Sequence, residues 1–92
     1  MEKDEFLKIF PIGIRNILAR MKVEFQEIQE IRMRVNSPLI VFREGREYFV
    51  SEWGALLKSP EEGYLVSREE LLKTMEYLSG YSMYAFEEEL KQ

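Results

Sequence analysis

The spacing of hydrophobic residues switches between helical and strand-like periods along the chain, and each switch predicts an element. Phe6, Ile9 and Phe10 share one side of a short helix from Asp4 to Phe10. Pro11 stops it, because proline disfavours helical geometry at the residue before it. Pro11 also suits the first turn of a second helix. There Ile14, Ile17, Leu18 and Met21 fall at i, i+3, i+4 and i+7, with Arg15, Asn16 and Arg20 outside. Lys22 to Gln29 fits both periods: Phe25 and Ile28 prolong the helical stripe, whereas Val23 and Phe25 alternate, so the stretch is treated as a connection.

From Glu30 the period is two. Ile31, Met33 and Val35 alternate with Arg32 and Arg34, which predicts a half-buried strand carrying two guanidinium groups on its other face. Asn36-Ser37-Pro38 turns the chain. Leu39 to Arg43 is apolar on both faces, as in a central strand, and Glu44-Gly45-Arg46 holds the glycine a tight hairpin needs before Glu47 to Val50 returns. Ser51 to Gly63 reads as a long irregular excursion, with Trp53, Leu56 and Leu57 packing back on the sheet, and Tyr64-Leu65-Val66 as a fourth short strand.

Ser67-Arg68-Glu69-Glu70 is a capping box and starts a helix whose inner stripe is Leu71, Leu72, Met75 and Leu78 and whose stop is Gly80. Ser82 caps a last helix with Met83, Phe86 and Leu90 inward and Glu87, Glu88 and Glu89 outward. The predicted fold is α+β. It has two amino-terminal helices, a small, mainly antiparallel sheet of three or four strands, and two carboxy-terminal helices on one face. The 92 residues form a single domain, with no linker and no internal repeat.

Composition narrows the chemistry. There is no Cys and no His, which removes thiolate nucleophiles, disulfides, Cys/His zinc sites and imidazole acid/base catalysis. Glu87-Glu88-Glu89 cannot act as a paired acid and base, since consecutive helical residues point about 100° apart. The five glycines stand alone, so no phosphate-cradling loop is present. The chain is therefore expected to have no catalytic, cofactor-binding or metal-binding residues of its own.

The net charge of -4 is uneven: residues 15–46 carry seven basic and four acidic groups, residues 47–92 four basic and ten acidic. A polyanion-facing surface through the basic middle third is a weaker reading, because nucleic-acid domains usually show a larger basic excess. With no apolar run approaching a membrane span and no signal peptide, the expectation is a cytoplasmic location. The candidate interface residues are Arg32 and Arg34, whose alternative is pairing with Glu47 or another neighbour across the hairpin, together with Tyr81 and Tyr84.

Two stretches, Glu30 to Val35 (E-I-R-M-R-V) followed by Ser37-Pro38-Leu39, and Leu78 to Gln92 with its string S-G-Y-S-M-Y-A-F-E-E-E-L, resemble the amino-terminal region of the stage III sporulation protein AA family. These are sporulation ATPases similar to the traffic ATPases of secretion and pilus systems. The resemblance runs from Gln26 to Gln92. Family members continue past the equivalent of Gln92 into a glycine-led strand and a P-loop domain that these residues lack, so ATP and Mg belong to the full-length family and not to this chain. The resemblance implies an accessory domain that supports ring assembly and couples the motor to a membrane partner, with Arg32 and Arg34 as contacts to a motor domain. Its implied partners are its own ATPase domain, neighbouring subunits in a homo-oligomer and sporulation membrane-channel proteins, on the mother-cell side of the forespore membrane. The alternative is a stand-alone protein-interaction module using Tyr81 and Tyr84 or the basic strand face.

Overall fold

Burying the predicted stripe of the second helix organises the molecule. The computed structural model describes residues 3–79. Helix α1 spans Lys3–Leu7 and α2 Ile12–Arg20, with Pro11 as the N-cap of α2. Ile14, Ile17, Leu18 and Met21 are all buried, as the spacing predicts. They form one buried cluster with Leu39, Val41 and Val50 at the sheet and with Val66 outside it. Arg15 ties the two helices together: its guanidinium donates at 2.9–3.2 Å to the carbonyls of Leu7 and Phe10, where the chain leaves α1.

The sheet is a four-stranded antiparallel meander, β1 (Ile28–Arg32), β2 (Ile40–Arg43), β3 (Arg46–Val50) and β4 (Leu56–Leu57), in that spatial order. Glu44 and Gly45 both have positive φ, 53° and 72°, so a two-residue turn of the kind that matches strand twist joins β2 to β3. A short 3-10 turn, Phe25–Glu27, leads into β1 and resolves the ambiguous connection.

Three expectations are corrected. First, β1 spans Ile28–Arg32 and not Glu30 to Val35, and its register slips between Ile28 and Glu30. That bulge lets Ile28 and Ile31, three apart, both pack against the core. Second, the fourth strand is Leu56–Leu57 and not Tyr64 to Val66. The latter bonds back to the 36–39 turn, with Asn36 N–H donating to the Val66 carbonyl at 2.7 Å and Leu39 N–H to the Tyr64 carbonyl at 2.8 Å. Third, Trp53 does not pack on the sheet: it is 71% exposed and lies under the Arg20 guanidinium.

Helix α3 spans Arg68–Ser79 and begins with the predicted capping box: Glu70 N–H donates to Ser67 Oγ at 3.1 Å, and Ser67 N–H to Glu70 Oε1 at 3.0 Å. Its inner side holds Leu72 and Thr74, with Leu71 and Met75 half-buried, while Leu78 is 65% exposed and so departs from the predicted stripe. The described residues thus hold three helices. The expected second carboxy-terminal helix, with Tyr81 and Tyr84, lies outside the described residues.

The other oxygen of Glu70 accepts from the Tyr64 hydroxyl at 2.6 Å. Burial, then Glu70, pushes the Tyr64 phenol up to about 12. A folded-state value above the ordinary 10 means that this stabilisation is complete below pH 10 and is lost as pH rises towards 12. Tyr64→Phe is expected to cost about 1 kcal/mol at neutral pH. It should also flatten the fall in urea midpoint across that alkaline window.

Candidate protein interface

Strand alternation sends one set of side chains to the helices and the other away from them. In an antiparallel sheet, residues directly opposite each other share a face. The register therefore lines up Arg32, Ile40, Phe49 and Leu57 as one row across all four strands on the face opposite the core. Beside it runs a shorter row, Glu30, Phe42 and Glu47. Ile40, Phe42, Phe49 and Leu57 are each half-buried, and none belongs to the core beneath α2. Gly63 and Pro38 border this face near Phe49. The result is an apolar centre of four side chains framed by charges.

Arg32 is fixed over that centre. Its guanidinium carbon lies 4.6 Å from the centroid of the Phe42 ring, and its Nε pairs with the Glu30 carboxylate two residues back on the same strand and face. A cation held over an aromatic ring keeps its charge outward while its stem covers apolar surface. The partner is thus Glu30 and not Glu47 across the hairpin. Arg32 remains 47% exposed, so its planar donors are presented outward.

Arg34 is placed elsewhere. It lies beyond the end of β1, exposed, and its carbonyl accepts from Ser37 N–H at 3.1 Å as the chain turns. The expected pair of guanidinium groups on one strand face is therefore reduced to Arg32. The apolar residues around it were missed as a site because Leu39 to Arg43 reads only as a strand covered on both sides; the signal was the alternation of Ile40 and Phe42 with Phe49 across the hairpin.

The other basic residues of the middle third are largely committed within the fold. Arg15 holds α1, Arg20 donates to the Glu52 carbonyl at 3.1 Å, and Arg43 Nε donates to Glu27 at 3.2 Å. With Arg32 on Glu30, four of the seven basic residues between positions 15 and 46 have intramolecular partners. Gly13 lies on α2, Gly45 in the turn between β2 and β3, Gly54 between β3 and β4, and Gly63 between β4 and α3. Among the described residues no group of acidic side chains could hold a metal ion, and no helix is long and apolar enough to cross a membrane.

No solved structure matches the chain. The stage III sporulation protein AA of Bacillus subtilis (strain 168) is 31% identical over 90 residues, which cover 97% of this chain but 25% of that protein. The chain spans about a quarter of the length of this relative. The family model described as "Sporulation stage III, protein AA" matches residues 1–92. The chain belongs to the stage III sporulation protein AA family.

Proposed function

We propose that this chain is the amino-terminal accessory domain of a sporulation-associated secretion-type ATPase, and that its outer sheet face docks against the ATPase part of the same protein or of a neighbouring subunit. In this reading the 92 residues bind no nucleotide and break no bond. They hold subunits together and pass motor movement to a membrane-channel partner from the mother-cell side of the forespore membrane. In the same reading, ATP and Mg would be bound by the ATPase part.

The observation that carries the reading is the row Arg32, Ile40, Phe49, Leu57 with Phe42 beside it: a half-exposed apolar centre topped by a fixed guanidinium. Interface centres favour aromatic side chains and Arg in this arrangement, with charges at the rim. Membership of the stage III sporulation protein AA family supports a sporulation-related role.

The test is ATP turnover by the full-length protein carrying Arg32→Ala, with Arg34→Ala as the comparison. Arg32→Ala is expected to lower turnover several-fold, since removing an interface Arg costs about 1–2 kcal/mol. Arg34→Ala should have a smaller effect, because it lies off the row. Equal loss at both positions would mean that net charge matters and the row does not. No loss at either would leave a stand-alone interaction module as the better reading.

A further inference from the structure

An aromatic side chain left in water forgoes the burial that normally stabilises a fold, and here one is held there by a well-bonded corner. Trp53 is 71% exposed, and Leu65, which lines the same cleft, is 60% exposed. Both stand on segments pinned by hydrogen bonds. Trp53 N–H donates to Ser51 Oγ at 3.2 Å and Gly54 N–H to the Ser51 carbonyl at 2.9 Å. On the other segment, Gly63 N–H donates to the Pro60 carbonyl at 2.9 Å and Tyr64 N–H to the Val50 carbonyl at 2.8 Å. Arg20 steadies the indole: its guanidinium carbon lies 5.8 Å from the ring centroid, and its Nη1 donates to the Glu52 carbonyl at 3.1 Å. A ring held in this way has little freedom left to lose on binding.

Charge decides what fits beside it. The cleft has a volume of about 300 Å³, and Glu52, Glu61 and Glu62 line it with the two apolar residues, while no basic side chain among the described residues does. All three glutamates are exposed, and the Ser59 hydroxyl bonded to Glu61 holds that carboxyl below its usual range, so it is ionised at neutral pH. Beyond the indole the sign reverses, where Arg20 and Lys22 line a second groove with Gly54 and Leu56. Small-molecule pockets are mostly apolar with a few polar groups. An indole and a leucine beside three carboxylates match instead a cationic side chain with an apolar neighbour, as on an exposed segment of another protein.

We infer that the cleft between Trp53 and Leu65 docks a basic segment of a partner protein. An Arg or Lys of that segment enters among the carboxylates of Glu52, Glu61 and Glu62, and an apolar neighbour packs against Trp53 and Leu65. Arg20 and Lys22 fix the side of approach, because a basic segment is drawn to the glutamate side of the indole and repelled from the other. No residue of the Arg32 row lines this cleft, so it is a second contact surface whose occupancy is independent of docking by the outer sheet face.

Trp53 is the only tryptophan of the 92 residues, so its emission reports on this cleft. A short synthetic peptide of alternating Leu and Arg, titrated into the chain at low salt, is expected to change that emission saturably, and added salt should weaken the binding. A peptide of alternating Leu and Glu should leave the emission unchanged. Glu61→Gln combined with Glu62→Gln, at two exposed positions, should weaken the Leu–Arg peptide about three- to tenfold. Trp53→Ala, followed by calorimetry, should weaken it roughly thirtyfold. No saturable change with the Leu–Arg peptide would overturn the proposal. So would an equal response to the Leu–Glu peptide, which would make the indole an indiscriminate apolar contact. Leu–Arg affinity unaffected by the double Gln variant would overturn it as well, by placing the peptide on other carboxylates.

Discussion

Gly54→Ala is expected to lower the melting temperature by roughly 10–25 °C. Gly54 has a φ of 84°, where a side chain costs about 1–2 kcal/mol. It is also pressed against the end of α2: a Cβ there would lie 2.9 Å from both the Arg20 carbonyl carbon and the Met21 nitrogen. Both are backbone atoms, so neither can swing aside, and overpacking adds about 1–3 kcal/mol.

The surrounding turn cannot yield cheaply either. Ser51 is buried, its Oγ accepts from the N–H groups of Trp53 and Ala55, and its own N–H donates to the Ala55 carbonyl at 3.0 Å. Arg20 reaches across to the Glu52 carbonyl. Together these bonds clamp the carboxy-terminal end of α2 to the corner between β3 and β4. Gly45→Ala is the control. Gly45 has a φ of 72° with nothing within 4 Å of an added Cβ, so only the backbone cost of about 1–2 kcal/mol applies. Thermal melts of the two variants followed by circular dichroism separate the close approach from the conformation: equal losses would show that α2 does not bear on Gly54.

Local rules carried much of this fold. The i, i+3, i+4, i+7 stripe of α2, the capping box at Ser67 and the glycine hairpin at Glu44-Gly45 each depend on residues a few positions apart, and all three are present as read. Features set by distant partners were not legible. The slip in β1 breaks the alternation that would have moved the strand start back to Ile28, and it leaves Arg34 off the strand that appeared to hold it. Trp53 reads as core by its size, yet it is a platform for Arg20, 33 positions away. Leu56–Leu57 is too short to announce a strand until its pairing with Phe49 and Val50 is seen. Of the candidate interface, Arg32 was legible from its strand alternation, whereas the row around it needed the register of four strands.

That row makes the sharpest functional prediction. Phe42 sits between Glu30 and Glu47 and beneath Arg32, at the centre of the outer face. Phe42→Asp removes the ring on which the guanidinium rests and adds a third carboxylate to that row. In a free sheet face the new carboxylate stays hydrated, so the domain should still fold, with a stability loss set mainly by the lost aromatic packing. In a docked face it must be desolvated beside a single guanidinium, Arg32, that Glu30 already occupies, at a cost of several kcal/mol, and each 1.4 kcal/mol is about a tenfold loss in association.

The most direct measurement is therefore ATP turnover by the assembled full-length protein carrying Phe42→Asp, with folding of the same substitution in the 92-residue chain confirmed by circular dichroism. Turnover at least tenfold below that of the unaltered protein, in a domain that remains folded, is the predicted result. Unaltered turnover with the domain folded would contradict the claim that the outer sheet face is where this domain meets its motor.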